Sequence, residues 1–504
     1  MIALYGLSFV VAFVALALWF ALKREQAEKY FSRLMFLALV LYSMSLVTVH
    51  APMVYKFQTV FRDMLFLGVF GAIFSRMAGW QKGFWLGVVL SLVAMFWFYR
   101  QFVSTTFPYH TSIPLDAKGE ILLELKEGHQ VAELAKIAEK YDLKLQRAFF
   151  PKDVASTELD NYYVVDIPDA GSKKVVMILR RLSRANAVSW AEENEIIQVE
   201  PLKTGNLPAK LPSKFGINDP GVANLWGFER MQMDKLYDYL DKNQVKPVRK
   251  ALIAILDTGV DGNHEDIKSN FKSIDAASDR DLKGHGTHCA GIAGAVSNNG
   301  VGVASYSRDN RFTTLTSVKV LGDQGFGTQQ GIINGIIKAA DAGADVISMS
   351  LGGPSNQSRQ KAYDKAVNYA NKKGAIVVVA AGNSNRNATD FSPVNSKGVI
   401  GVSAVDSDLN RAEFSNYVQD LPLGVAAPGV GIYSTIPNNR YETYNGTSMA
   451  TPYVAGLLGL LKSIKPSLST EEAYKILNET GMDTRNSKLT GKFIQPLEAV
   501  KRLN

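Results

Sequence analysis

The sequence predicts an α/β domain, a parallel sheet with helices on both faces, preceded by a small α+β unit and an all-α transmembrane region. Three observations carry this. Long uncharged apolar runs are confined to the first hundred residues. Residues 119–200 switch between strand and helix periodicity in the order β-α-β-β-α-β. From residue 215 onward, short continuous apolar runs alternate with helical stretches. A chain of 504 residues is too long for one ordinary core. It divides into residues 1–104, 119–200 and 215–504, joined by two Pro-containing linkers.

Ala3 to Leu22 is an apolar run of about the length that crosses a bilayer. No positive segment precedes it, and Trp19 and Phe20 stand where a cleaved signal would carry small residues. Leu34 to Val49, Met64 to Ser75 (cut by Arg76) and Gly83 to Tyr99 read as three more spans, or two if the short third one fails. Lys23, Arg24, Lys29 and Arg33 mark the first loop, and Arg76 and Lys82 the third, as cytoplasmic. Lys56 and Arg62 are the only cations of the second loop. Everything after Tyr99 is then expected outside, in a multi-pass cell-membrane protein whose partner is the lipid bilayer.

In the second part, Glu120 to Lys126, Leu143 to Phe149, Asn161 to Ile167 and Ala187 to Ala191 read as strands. Val131, Leu134, Ala135, Ala138 and Tyr141 fall at helical spacing, as do Val175, Ile178, Leu179 and Leu182. This order is the split βαβ, or ferredoxin-like, arrangement. Pro201 to Lys214 has three prolines and no periodicity, and reads as an exposed linker.

In the third part, Ala251 to Leu256, Ser317 to Leu321, Ala344 to Met349 and Ala375 to Ala380 look like parallel strands covered on both faces. Gly331 to Ala342, Gln360 to Lys373 and Ser448 to Ile464 read as helices, which completes the α/β pattern.

The net charge of +8 comes from dispersed Lys and Arg with no basic block, so no nucleic-acid partner is expected. One cysteine, Cys289, excludes an internal disulfide.

The chemistry is concentrated in LDTGVDG around Asp257, GHGTHCAG around His285 and YNGTSMATP around Ser448. A serine hydroxyl needs a base within hydrogen-bond reach, and that base needs an acid to hold its tautomer. Aspartic proteases need two Asp-Thr-Gly loops, and this chain has one. An Asp, a His and a Ser in this order, in these contexts, resemble the subtilisin (subtilase) family of serine endopeptidases.

The resemblance covers residues 215–504 and implies the following roles. Asp257, His285 and Ser448 form the triad, and Asn383 in AAGNSN supplies the oxyanion-hole amide. Ser350, Leu351, Gly352 and Gly353 (SLGGP) pair with an extended substrate. The loop NSNRNATDFSP is similar to the proteinase K branch and implies an apolar or aromatic preference. Cys289 also matches that branch, where the thiol lies beneath the catalytic histidine. Tyr453 departs from the family, which carries a non-catalytic His there.

No cofactor is implied for the chemistry. Asp266 and Asn299 are the candidate ligands of a structural calcium, although the loop SNNGVG is short for that role. The unit 119–200, placed directly before such a domain, looks like a subtilase propeptide, a folding chaperone and inhibitor. Expected partners are therefore protein or peptide substrates and the chain's own propeptide, with the enzyme made as an autoprocessed zymogen. Two rivals are weighed: a membrane receptor whose subtilase domain only binds peptides, and a transporter carrying a protease. Retention of Asp257, His285, Asn383 and Ser448 argues against the first, and the lack of charge within the spans beyond Arg76 against the second.

Overall fold

The computed structural model describes residues 2–21, 25–48, 53–77, 119–199, 202–203, 215–355 and 361–503, with side chains of the first helix described for residues 8–20. It divides into two compact units, residues 1–114 and 115–504.

The first unit contains the helices Ile2–Ala21, Glu25–Thr48 and Met53–Met77. Phe9, Phe13, Leu16, Tyr42, Leu67 and Phe74 form their common core. Two outward faces are apolar. Phe36, Leu37, Val40, Leu41 and Met44 are exposed on the second helix, and Phe61, Leu65, Val69 and Ile73 on the third, at i, i+4 spacing. Among the described residues, no helix is long and apolar enough to cross a membrane. The expected span Gly83 to Tyr99 lies outside the described residues.

Two expectations need correction here. Met64 to Ser75 is the second half of a 25-residue helix, so Lys56 and Arg62 ride on that helix and not in a loop. A buried carboxylate also stands beside the apolar run. Asp63 accepts from the Tyr42 hydroxyl at 2.9 Å and from Arg62 Nε at 2.8 Å. Apolar-run counting starts after Asp63 and so treats it as a loop residue, whereas the pairing lets it sit inside the bundle.

In the second unit, β1 (Ile121–Leu125), β2 (Lys144–Arg147), β3 (Tyr162–Asp166) and β4 (Val188–Glu193) form an antiparallel sheet of order β2-β3-β1-β4. The helices Ala135–Tyr141 and Ser172–Leu182 join its strands. Strand alternation divides β1 between two cores. Ile121, Leu123 and Leu125 pack with Val175, Ile178 and Leu182. Leu122, with Tyr162 and Val164, joins a core shared with the helices of the larger sheet. That is why EILLEL is apolar on both faces although its sheet is antiparallel.

After β4 the chain makes β5 (Ile196–Gln198) and β6 (Leu202–Lys203), both of which pair with the larger domain. That domain holds β7 (Ala251–Asp257), β8 (Thr313–Lys319), β9 (Phe326–Thr328), β10 (Val346–Met349), β11 (Gly353–Pro354) and β12 (Ile376–Ala380). Next come β13 (Phe391–Ser392), β14 (Val399–Val405), β15 (Gly424–Pro428), β16 (Ile432–Ile436), β17 (Arg440–Asn445) and β18 (Lys492–Phe493). Seven of these form a parallel sheet of order β18-β15-β14-β12-β10-β7-β8.

Alternate residues of the sheet feed opposite cores. Ile253, Ile255 and Val378 face the helix Thr447–Ile464, which is buried along nearly its whole length. Ala254, Leu256 and Val379 face the helices Gln329–Asp341 and Lys361–Lys372. The carboxyl ends of β7, β10 and β12 lead directly into Asp257, Ser350 and Asn383, the usual place for a site in an open parallel sheet.

Candidate active site

Asp257 ends β7 and is fully buried. Its Oδ1 accepts from the Thr258 backbone N–H at 2.7 Å and stands 2.7 Å from His285 Nδ1. His285 is the first residue of the helix His285–Gly294. The glycine after it makes this approach possible, because a Cβ at Gly286 would lie 2.0 Å from the Gly259 carbonyl oxygen and 3.0 Å from Asp257 Cβ. With Nδ1 on the carboxylate, His285 presents Nε2, which is buried and has no hydrogen-bond partner among the described residues. His288, one turn on, is a different case. Its ring stacks on Tyr444 with centroids 4.4 Å apart, and its Nε2 lies 3.0 Å from the Glu442 carbonyl. Burial pushes its pKa down to about 3, so it stays neutral and packs.

Ser448 is the second residue of the helix Thr447–Ile464. Its hydroxyl donates to the Ser350 carbonyl at 3.1 Å, and the Ser350 hydroxyl donates back to the Ser448 carbonyl at 2.7 Å. The serine therefore rests on β10's exit loop and not on His285.

Asn383 follows β12. Its Oδ1 accepts from both the backbone N–H and the hydroxyl of Thr447, each at 2.9 Å, which fixes the amide's orientation. A Cβ at Gly446 would stand 3.4 Å from Asn383 Nδ2 and 3.5 Å from the Ser448 backbone N. Two N–H donors thus converge beside one point. Glycine, at φ +154°, keeps that point open.

Ser350 to Gly353 line the same region. Gly353 opens β11, which pairs with β13, and a Cβ there would lie 3.1 Å from Ile197 Cδ1. The ladder along this groove is made by a strand just past the last one expected from the sequence, beginning before Val199. Ile196–Gln198 lies antiparallel on Phe326–Thr328, and the Val199 N–H donates to the Gly325 carbonyl at 3.0 Å. Leu202 and Lys203 then pair with Asn445 and Tyr444, three and four residues before Ser448. Pro201 to Lys214, expected to be an exposed linker, therefore includes a short strand, and its other residues are not among those described.

Asp281 was also missed. Its Oδ1 accepts from Thr258 Oγ1, Lys283 N and Gly284 N at 2.8–3.0 Å, and its Oδ2 from the Thr287 N–H at 2.9 Å and hydroxyl at 2.7 Å. One buried carboxylate thus ties the residue after Asp257 to the first turn of the His285 helix. An acid four residues before the histidine was the available signal.

Asp257, His285 and Cys289 place ligand-type atoms within 4.8 Å of one another. Burial pushes the Cys289 thiol well up, and it donates to the Ser448 carbonyl, so it is no thiolate nucleophile.

Asp266 and Asn299 do come together, but as a hydrogen-bonded pair. Asn299 Nδ2 donates to Asp266 Oδ1 at 2.9 Å, and Val303 N donates to Oδ2 at 2.8 Å. Asn299 Oδ1 accepts from Val301 N, which fixes the amide with its NH2 toward the carboxylate. Asp219 likewise accepts from Asn298 and Asn299 N–H groups. Calcium needs converging oxygens, and these carboxylates face N–H donors, so the residues do not fit the ion.

Comparison with known proteins agrees with this architecture. Residues 249–493 match the model of the subtilase family. The chain is 41% identical to thermitase of Thermoactinomyces vulgaris over 263 residues, 51% of this chain and 88% of that protein. It is 40% identical to subtilisin DY of Bacillus licheniformis over 254 residues, 49% and 89% of the two. A solved protease structure from Pseudoalteromonas arctica aligns with TM-score 0.50 and 29% identity, over 57% of this chain and 99% of that one. A buried Asp–His pair, a serine at a helix start and this relationship lead to one conclusion: the chain belongs to the subtilase family and is a serine endopeptidase.

Proposed function

We propose that Ser448 is the nucleophile, His285 the base, Asp257 its orienting acid and Asn383 an oxyanion donor, in an enzyme made as a self-processing zymogen. In the reaction the Ser448 hydroxyl swings from the Ser350 carbonyl to His285 Nε2. Oγ then bonds to the substrate carbonyl carbon as its proton passes to that nitrogen. Asp257 stabilises the resulting imidazolium. The carbonyl electrons move onto oxygen, beside the Asn383 amide and the Ser448 N–H at the start of a helix. Collapse breaks the C–N bond, His285 returns the proton to the leaving amine, and water repeats the cycle on the ester.

The zymogen reading rests on one observation. The chain's own residues 196–199 pair with residues 325–328 and residues 202–203 with Tyr444 and Asn445 just before Ser448, a peptide held by strand addition. The β1–β4 unit supports the same reading. Its Glu124 takes Lys361 at 3.0 Å and Lys365 at 2.5 Å, and its Glu195 carbonyl and Asn194 Oδ1 accept the first N–H groups of the helix Gln329–Asp341. A fluorophosphonate probe should label wild-type protein at Ser448. Ser448→Ala should be unlabelled and keep residues 119–200 attached, as read by N-terminal sequencing. Wild-type-rate processing of purified Ser448→Ala would exclude self-cleavage.

We further propose that the first unit anchors the enzyme at the cell membrane, with the protease outside. Support comes from the apolar runs, the cations Lys23, Arg24, Lys29, Arg33, Arg76 and Lys82 flanking them, and the outward apolar faces of the second and third helices. Of these cations, Lys29 and Arg33 ride on the first turns of the second helix and Arg76 on the last turn of the third, not in loops. A reporter active only outside the cytoplasm should be active when fused after Tyr99 and silent within Lys23 to Arg33. The reverse pattern would refute the orientation.

A further inference from the structure

The docked strand shows more than inhibition, because it displays which side chains the groove accepts. Strand alternation turns Glu195, Ile197 and Val199 toward the enzyme and leaves Gln198 exposed. Ile197 is 1% exposed and joins the apolar cluster containing Leu321, Leu351 and Phe391. Two residues before it, the Glu195 carboxylate is held by two hydroxyls. Ser355 Oγ donates to Oε1 at 3.2 Å and Ser392 Oγ to Oε2 at 3.0 Å. Ser392 is fully buried and sits on β13, directly across from Gly353 of β11. The backbone under this glutamate is fixed as well, since its carbonyl accepts Gln329 N–H at 2.7 Å.

We propose that Ser355 and Ser392 form a subsite for a substrate glutamate, so that the enzyme selects extended segments carrying Glu two positions before a branched aliphatic residue. This rests on the reading above that Ile196–Gln198 occupies the groove in which substrate lies. An apolar side chain at the Glu195 position would leave two hydroxyls facing carbon, one of them fully buried. A carboxylate takes both as charge-assisted hydrogen bonds.

The test uses the full-length protein after its own processing and quenched peptides containing Glu-Ile-Ile-Gln-Val. Replacing that Glu by Ala in the peptide should raise KM about tenfold and leave kcat nearly unchanged, the signature of a contact made equally in ground and transition states. Ser392→Ala should close the gap to about twofold. Equal kcat/KM for the two peptides on wild-type enzyme would overturn the subsite and leave the protease reading intact. Failure to cut these peptides or casein at all would count against that reading instead. The subsite is then decided by hydrogen exchange at Ile196 to Gln198 in the full chain. Ser392→Ala and Glu195→Ala should each speed exchange about tenfold, and unchanged exchange would reject it.

Discussion

The triad and the surface that holds the β1–β4 unit lie in one compact body, yet they treat buried carboxylates in opposite ways. At the triad, His285 Nε2 and Asp257 Oδ2 are buried with no hydrogen-bond partner among the described residues. At the docking surface, Glu124 takes two lysines and a tyrosine, and Glu192 takes Trp190 Nε1 at 2.8 Å and Gln329 Nε2 at 3.0 Å. An unmet polar atom costs about 1–3 kcal/mol when buried. The molecule carries that cost where a proton must move, whereas both oxygens of each docking-surface carboxylate are met, although the buried Tyr363 hydroxyl near them is not. Poise and lock are therefore separate in space, and each can be broken without the other.

The largest effect should come from the poised side. Asn383→Ala removes one of the two donors beside Gly446 and also releases Thr447. Turnover should fall by roughly 10²–10³-fold, about 2.7–4 kcal/mol, with KM nearly unchanged; this magnitude comes from subtilisin, a relative, and is carried over. Steady-state kinetics on one peptide decide it. A rise in KM at constant kcat would make Asn383 a binding residue and remove it from the poised set.

The two sides also differed in how legible they were in the sequence. Asp257, His285, Asn383 and Ser448 each close a local signal: a buried strand, a helix start or a glycine-bounded turn. Ala251 to Leu256 was readable because it is apolar over its whole length, and Ser448 to Ile464 because its middle is a long apolar run, as elements buried all round tend to be. The lock was not readable in the same way. Phe326–Thr328 is three residues inside GDQGFGT, too short and glycine-rich to show a period, and it becomes a strand only because Ile196–Gln198 lies on it. Leu202–Lys203 has partners more than 240 positions away. Asp281 serves two segments through five hydrogen bonds, and its place four residues before His285 was the one faint signal of that role. Asp266 and Asn299 were correctly brought together, but the short loop turns an amide NH2 toward the carboxylate where a carbonyl oxygen would be needed.

A smaller effect should come from pH acting on the lock. Burial against the catalytic domain pushes the Glu192 pKa up to about 8, against the pull of hydrogen bonds from Trp190 and Gln329. Undocked, the same carboxyl titrates in the ordinary range near 4.3. The docked state therefore holds the proton more tightly, so docking is strongest below the free pKa and weakens as pH rises from about 5 to 8. Peptidase activity of the full chain should emerge faster at pH 8 than at pH 6, by about tenfold or more. Glu192→Gln should flatten this profile. A wild-type profile that is flat, or that rises toward acid, would show that the donors win and that Glu192 is ionised in place.

The smallest effect is expected where the family resemblance implied calcium. An ion bound at a hundredfold excess over its Kd adds about 2.7 kcal/mol, enough to move the melting temperature of a domain this size by several degrees. Here Asp266 and Asp219 face the Asn299 amide and the N–H groups of Asn298, Asn299 and Val303, where an ion would need converging oxygens. Burial outweighs these donors, pushing the Asp266 carboxyl up to about 8. Adding a chelator or millimolar calcium should therefore shift the melting temperature by no more than about 1 °C. Asp266→Asn should lower it by several degrees whether or not calcium is present, because an amide set against two N–H donors leaves at least one of them unmet. A chelator-induced drop of 5 °C or more that calcium restores, and that Asp266→Asn abolishes, would show that the loop opens to take the ion. It would also place this loop with the poised atoms of the triad, away from the locked surface.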